Sequence, residues 1–266
     1  MRGYLNIENI KVKVDFSKGN DISIPLLFNG SQPNTYNVNK AVSIAYKDNT
    51  FIGDTRVGGP CNFETYKLTP HCNGTHTECI GHITKERIHI LNSLNEEMIP
   101  SYLITIEPKK SKEQYRPNLN PEDLVITKKE LLNKLKDINP IFLKGLVIRT
   151  SPNKESKKVR NYMNKIPPFF SIDAMNYIVK LGVKHLLVDI PSVDRLFDDG
   201  FLTAHNIFWE TKEKKYNKNS SNKTITEMIF VSNDIIDGKY LLNLQFAPFV
   251  ADASPSRPIL YKINEI

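Results

Sequence analysis

Three imidazoles, two thiols and a carboxylate fall within the segment His71-Cys72-Asn73-Gly74-Thr75-His76-Thr77-Glu78-Cys79-Ile80-Gly81-His82. If residues 72–82 are extended, side chains alternate across the backbone. One face then carries Cys72, Gly74, His76, Glu78, Ile80 and His82. Imidazole and carboxylate ligands together suit zinc, manganese or iron(II). Burying such a set without a cation leaves costly polar groups uncompensated. Gly74 would let a metal, water or substrate approach the backbone closely, while Thr75 and Thr77 point to the other face. The first position of this ladder stays open between two residues. An ungapped strand favours Cys72, whereas a one-residue bulge brings His71 onto the ligand face. A Cys72 ligand biases the site toward zinc and away from manganese.

A further carboxylate far along the chain lies on an apolar strand face. Glu227 shares a strand face with Ile225 and Ile229, an expensive place for an unpaired charge. His89 and His185 match no motif and read as structural, and Cys61 and Cys79 as packing residues. There is no G-x-S-x-G elbow and no G-x-x-x-x-G-K-[ST] loop, so serine-hydrolase and P-loop chemistry lack their signatures.

The elements that must position these groups alternate in kind. Strands are expected over 7–16, 22–28, 41–46, 51–56 and 63–68, with a turn at Lys47-Asp48-Asn49. Ser101 to Glu107 alternates as a strand, and 108–121 is a polar, proline-bearing surface loop. Thr127 caps a helix over 128–136 with a Leu131, Leu132, Leu135 stripe. Ser171 caps another over 172–181, with Ala174, Tyr177 and Ile178 on one side and Gly182 just past its end. Apolar runs at 142–148 and 185–190 follow the two helices, the pattern of crossover units in a buried sheet. Strands are expected again over 225–231, 240–249 and 259–263, and 212–223 is a polar excursion. The simplest account is one α/β domain over residues 1–266, a mixed β-sheet core with flanking helices.

The chain is long enough to bury a continuous core without disulfides. Three cysteines without a C-x-x-C pair point to a reducing compartment. The N-terminus lacks the apolar stretch of a signal peptide, and no apolar run reaches a membrane span. A cytoplasmic location is expected, with no membrane partner. The net charge of +7 is mostly dispersed lysine with acidic residues among it, a solvated face rather than a nucleic-acid surface.

The segment from Gly74 to His82 resembles the G-T-H-x-D-x-P-x-H signature of the cyclase family of metal-dependent hydrolases, which includes kynurenine formamidase and isatin hydrolase. Further stretches match in order: Leu146 to Thr150, Gly182 to Asp194, Ala204-His205, Thr226-Glu227 followed by Asp237-Gly238, and Ser254-Pro255-Ser256-Arg257. The resemblance implies a cyclase-type fold and metal ligation by His76, Glu78 and His82 with Glu227 as the distant carboxylate. It also implies catalytic roles: Glu78 or His82 orients or deprotonates water, and His205 protonates the leaving nitrogen. The expected activity is arylformamidase-like hydrolysis of a formamide or cyclic amide or imide in a small-molecule substrate, with a homodimer or higher homo-oligomer. Three departures stand out: Glu78 replaces the aspartate, Ile80 replaces the proline, and Cys72 stands where the family has its first histidine. They leave room for an alternative, a non-catalytic small-molecule-binding protein with a degenerate metal site.

Overall fold

The computed structural model describes residues 1–96 and 98–266. In chain order the strands are β1 (Arg2–Ile7), β2 (Ile10–Asp21), β3 (Val42–Ala45), β4 (Glu64–Lys67), β5 (His76–Cys79), β6 (Met98–Ile106) and β7 (Val125–Ile126). They continue with β8 (Gly145–Thr150), β9 (Phe169–Phe170), β10 (His185–Val188), β11 (Thr224–Glu227), β12 (Gly238–Asn243), β13 (Ala253–Pro255) and β14 (Ile259–Glu265). The helices are α1 (Pro70–Asn73), α2 (Lys128–Leu135), α3 (Ile172–Lys180) and α4 (Thr203–Phe208). Ten strands form one sheet in the order β1-β2-β14-β12-β6-β8-β10-β11-β5-β13. β6, β8, β10 and β11 run parallel, and the strands on either side of them are antiparallel. This is the expected single-domain α/β architecture with a mixed sheet.

The parallel centre is buried on both faces, which is why its strands read as unbroken apolar runs rather than as alternation. Leu146, Ile148, Leu186 and Val188 pack into the core beneath α2 and α3. Val147 and Leu187, one residue out of phase, pack with Ile99, Leu103 and Leu242 on the opposite face. The connection from β6 to β8 contains α2, that from β8 to β10 contains α3, and that from β10 to β11 contains α4. Thr127 Oγ1 accepts from Glu130 N–H (3.2 Å) and Ser171 Oγ from Ala174 N–H (3.0 Å), the two expected caps. Gly182 takes φ +79° just past α3, where a left-handed residue ends the helix. No helix among the described residues is long and apolar enough to cross a membrane.

Several expected elements differ. The N-terminal strands form a long hairpin over 2–21, and 22–28 is not a strand. Residues 51–56 contribute only a bridge between Lys47 and Ile52. Leu132 is 42% exposed, so the α2 stripe is Leu131 and Leu135 alone. The stretch expected at 225–231 stops at Glu227 because Met228 turns the chain with φ +53°. The strand expected over 240–249 ends at Asn243, and 142–148 begins as the end of a 3-10 turn over Pro140–Leu143.

Candidate metal centre

Residues 72–82 are not one continuous strand. Pro70 occupies the first turn of α1, where its fixed φ and missing N–H cost nothing, so residues 70–73 coil. Only His76 to Cys79 form β5, and Ile80–His82 make a 3-10 turn closed by Ile83 N–H donating to the Ile80 carbonyl. β11 pairs antiparallel with β5, setting Glu227 opposite His76 and Ile225 opposite Glu78. Cross-strand partners share a face. Glu227 and His76 therefore meet at the carboxyl end of β11, where open α/β sheets place their ligands.

The side chains converge on Glu78, which is fully buried. Its Oε2 lies 3.0 Å from His71 Nδ1 and 3.8 Å from His82 Nε2. Its Oε1 lies 3.0 Å from His205 Nε2. The α1 turn, rather than a bulge, brings His71 into the set. Successive helical residues point about 100° apart, and the Cys72 thiol joins none of the groups whose ligand atoms converge among the described residues. Of the two candidates for the first position, the structure brings His71 to Glu78 and leaves Cys72 outside the convergent groups. Burial, followed by the charge of Glu227, pushes its pKa up to about 11, so it stays a neutral thiol. Gly74 is not crowded either, since an added Cβ would meet only Leu26, at 4.0 Å.

The hydrogen bonds outside the cluster aim the nitrogens. His76 Nδ1 lies 3.0 Å from the Gly74 carbonyl, which can only accept, so Nδ1 carries a proton there and Nε2 is the nitrogen turned to the site. That Nε2 faces Glu227 Oε2 at 3.6 Å, beyond hydrogen-bond distance. His76 Nε2 is buried without a hydrogen bond, and Glu78 Oε2 beside it faces His71 Nδ1 at 3.0 Å and His82 Nε2 at 3.8 Å. A buried ring nitrogen left without a partner among carboxylates and imidazoles fits a cation. The donors are imidazole nitrogens and carboxylate oxygens, a set that suits zinc, manganese or iron(II). Among the described residues His71, His76 and Glu78 form one group whose ligand atoms all lie within 4.8 Å of one another, Glu78, His82 and His205 a second, and His71, His82 and Asp252 a third.

Asp252, which sequence reading did not single out, completes the arrangement. Its Oδ2 takes His71 Nε2 at 3.0 Å and His82 Nδ1 at 3.4 Å, turning the other nitrogen of each ring toward Glu78. The two rings stack with centroids 4.2 Å apart. Asp252 immediately precedes β13, whose Ala253 pairs with Glu78. Its one sequence cue was its place two residues before the Ser254-Pro255 match. Asp194 does the same for His205: Oδ2 lies 2.6 Å from Nδ1, and Oδ1 accepts from Ala204 N–H (2.6 Å) and Tyr115 O–H (2.7 Å). Glu227 Oε1 accepts from Val193 N–H at 2.8 Å. Every imidazole of the set is thus aimed by an acceptor behind it.

The imidazoles and carboxylates of the site hold each other's charge. Burial opposes charge on His71, but hydrogen bonds to Asp252 and Glu78 outweigh it and hold the pKa at about 10. Burial likewise opposes charge on His205, yet Asp194 and Glu78 raise its pKa well above the ordinary value. Glu78 is held well below the carboxylate range, because the charge of His82 and the bonds from His205 and His71 overcome its burial. Hydrogen bonds from His71 and then His82 hold Asp252 low as well. The site is built to keep positive charge. His185 stands apart, buried with Nδ1 2.9 Å from Thr224 Oγ1, and is structural as expected.

The model of the Cyclase family matches residues 20–195. Solved structures share the fold. A potential metal-dependent hydrolase with cyclase activity superposes with a TM-score of 0.61 at 17% identity, covering 92% of this chain and 98% of that one. A predicted metal-dependent hydrolase from Bacillus stearothermophilus gives 0.60 at 17%, with the same coverage. An isatin hydrolase bound to the product analogue thioisatinate gives 0.61 at 13%, covering 93% of each chain. No curated protein matches the chain.

Proposed function

The chain belongs to the Cyclase family, and we propose that it is a divalent-metal-dependent hydrolase that breaks an amide-type C–N bond, a formamide or a cyclic amide or imide, in a small-molecule substrate. One observation carries this: four imidazoles and two carboxylates converge, with His76 Nε2 buried among them without a hydrogen bond. The solved neighbours, a potential and a predicted metal-dependent hydrolase and an isatin hydrolase, support the same reading. His71, His76, Glu78 and His82 would hold the metal, with Glu227 as the distant carboxylate, and zinc or manganese suits the all-nitrogen-and-oxygen set. When bound, such a cation lowers the pKa of water toward neutrality and polarises a carbonyl oxygen.

The protein's own groups then divide the work. Glu78, touching His71, His82 and His205 at once, fixes the spacing of the set. His82, with its side chain 28% exposed, lies between Glu78 and Asp252, and His205, 2% exposed, lies between Glu78 and Asp194. Glu78 or His82, whichever is not holding the metal, would orient or deprotonate the attacking water. His205, expected from the resemblance to serve as acid, becomes a group clamped by Asp194 that passes a proton to the leaving nitrogen only if Glu78 releases it. The altered first ligand and the lost proline leave room for a non-catalytic binding protein, and the turn of His71 toward Glu78 supports the hydrolase reading over it. A homo-oligomer and a cytoplasmic location belong to the same proposal.

Elemental analysis of the purified protein tests the reading, followed by hydrolysis assays on N-formylkynurenine, isatin and simple cyclic imides. The expected result is at least about one tightly held divalent ion per chain and turnover of one of these classes. Lower metal content that added zinc or manganese does not restore would sink the proposal.

A further inference from the structure

The large sheet ends differently at its two sides. β13, at one edge, has three residues and carries Pro255, and both features deny a neighbouring strand a ladder to extend. β1, at the other edge, has six residues, Arg2-Gly3-Tyr4-Leu5-Asn6-Ile7, with neither proline nor lysine among them. It pairs with β2 through a tight turn at Glu8-Asn9. Charge on this edge is confined to its ends, Arg2 and, just past Ile7, Glu8. An edge strand of this length without the usual guards is a template for another strand.

The pleat decides which backbone groups point outward. Phe16 N–H donates to the Met1 carbonyl, and Gly3, Leu5 and Ile7 share the phase of Met1, so these residues bond to β2. Arg2, Tyr4 and Asn6 turn their N–H and C=O groups toward the open edge. The side chains divide in the same way. Tyr4 is 64% exposed, with Lys11 Nζ and Lys13 Nζ each 5.9 Å from its ring centroid. Leu5 and Ile7 pack on the core face, where a groove of about 440 Å³ runs along Leu5, Phe16, Met98, Pro100 and Leu241. Two copies related by a two-fold axis present the same strand to each other, antiparallel. Pairing centred between Tyr4 and Leu5 would set outward-bonding residues against inward-bonding ones, so it is excluded. Centred on Tyr4, the pairing leaves Glu8 with no residue opposite. Centred on Leu5, it sets Tyr4 against the partner's Asn6 in bonded pairs and brings Arg2 to the partner's Glu8 at both ends, positive against negative. It also brings the two Leu5 side chains together on the groove face, with Cβ atoms about 5 Å apart.

We propose that β1 is the surface through which two copies of this chain join, antiparallel about Leu5, so that one sheet runs across both. Main-chain bonds from Tyr4 and Asn6 hold the pair, and the Arg2 contacts with the partner's Glu8 fix its register. The pairing gives the proposed homo-oligomer a definite interface and does not involve the metal centre, so its failure leaves the hydrolase reading untouched.

The test is analytical ultracentrifugation of the full chain and its variants, with melting curves to confirm that each variant is folded. Wild type is expected to be a dimer, or a larger even-numbered assembly built from that dimer. Asn6→Pro removes an outward N–H and no bond to β2, and should halve the mass at the same concentration. Arg2→Glu or Glu8→Arg alone sets like charges opposite each other twice per dimer, and each should raise the dimer Kd about tenfold. The exposed bridge from Arg2 to Asp15 at 3.0 Å is also lost in Arg2→Glu, but contacts of that kind contribute little. The double variant Arg2→Glu/Glu8→Arg restores opposite charges and should return to within about threefold of the wild-type Kd. A wild-type protein that is monomeric at about 100 μM overturns the proposal and leaves the edge to a strand from another protein. An assembly that Asn6→Pro leaves intact overturns it too, as does a double variant no tighter than the single ones. If Asn6→Pro fails to fold, the charge variants, made at exposed side chains, decide the matter alone.

Discussion

Asp252 offers the sharpest test of how the imidazoles are held. It touches none of the presumptive metal-facing nitrogens. It grips the far nitrogens of His71 and His82, at 3.0 and 3.4 Å. Losing an outer partner of this kind typically costs 10- to 100-fold in metal affinity, which is about 1.4–2.7 kcal/mol. Asp252→Asn keeps the shape and one acceptor oxygen but not the charge, so it should fall near the tenfold end. Asp252→Ala frees both rings and should approach the hundredfold end. The fold itself should hardly notice, because the Asp252 side chain is 34% exposed and an asparagine there can turn to water. The measurement is a zinc Kd from competition with a chromophoric chelator, alongside melting curves with and without metal. Metal-dependent stabilisation should shrink by the same about 1.4–2.7 kcal/mol, while the metal-free melting temperature stays nearly constant. If both variants bind zinc within about twofold of wild type, the imidazoles are not aimed by Asp252, and the outer arrangement described for this site is wrong.

Three other expectations follow from the same structure. His71→Ala should lose bound metal as measured by elemental analysis, whereas Cys72→Ser should retain it; the opposite pattern would restore Cys72 to the ligand set. Gly81→Ala would place a Cβ 2.1 Å from the Ile88 carbonyl oxygen and should destabilise the protein by roughly 2–4 kcal/mol in urea unfolding; a loss below about 0.5 kcal/mol would contradict that contact. Burial lowers the His185 pKa to about 4, so the unfolded chain takes up a proton first, and the stability present above pH 6.5 is lost as pH falls toward 4. Between pH 7.5 and 5 this amounts to about 2 kcal/mol. Wild type minus His185→Gln should reveal that difference, and parallel pH profiles for the two proteins would exclude it.

What could be read from sequence and what could not divides along the range of the interactions involved. The caps at Thr127 and Ser171 are local hydrogen bonds, and both appear in the structure. The parallel strands showed as apolar runs because burial on both faces leaves no alternation to hide them. His76, Glu78 and Glu227 were legible because a two-residue period decides their faces, and the register of β5 against β11 then sets Glu227 beside His76. Asp252 was not, since its meaning depends on β13 pairing with a strand more than 170 residues earlier. The α1 turn had a cue in Pro70, but four residues of helix beside a strongly alternating stretch are outweighed by the alternation. The six-residue helix that carries His205 owes its position to Asp194, whose Oδ1 accepts from Ala204 N–H and whose Oδ2 lies 3.1 Å from His205 N.

The three departures from the family signature have physical counterparts that make them consistent with one another. The first histidine stands one residue early, and coiling at α1 recovers the displacement by turning His71 toward Glu78. The carboxylate is one carbon longer, and that reach lets Glu78 meet His71 with one oxygen and His205 with the other. The missing proline removes a covalent restraint between Glu78 and His82, yet the turn there is held by packing. Ile80 is wholly buried, the Cys79 thiol donates to the Ile88 carbonyl at 3.6 Å, and Gly81 lets that same carbonyl approach where no side chain would fit. Burial keeps the Cys79 thiol protonated, with a pKa pushed up to about 11, so the donor persists at neutral pH. A ring that fixes one φ angle has been exchanged for a close backbone contact that fixes the same turn. The position of His82 then depends on Gly81, which is why a single methyl group there is expected to cost more than its volume suggests.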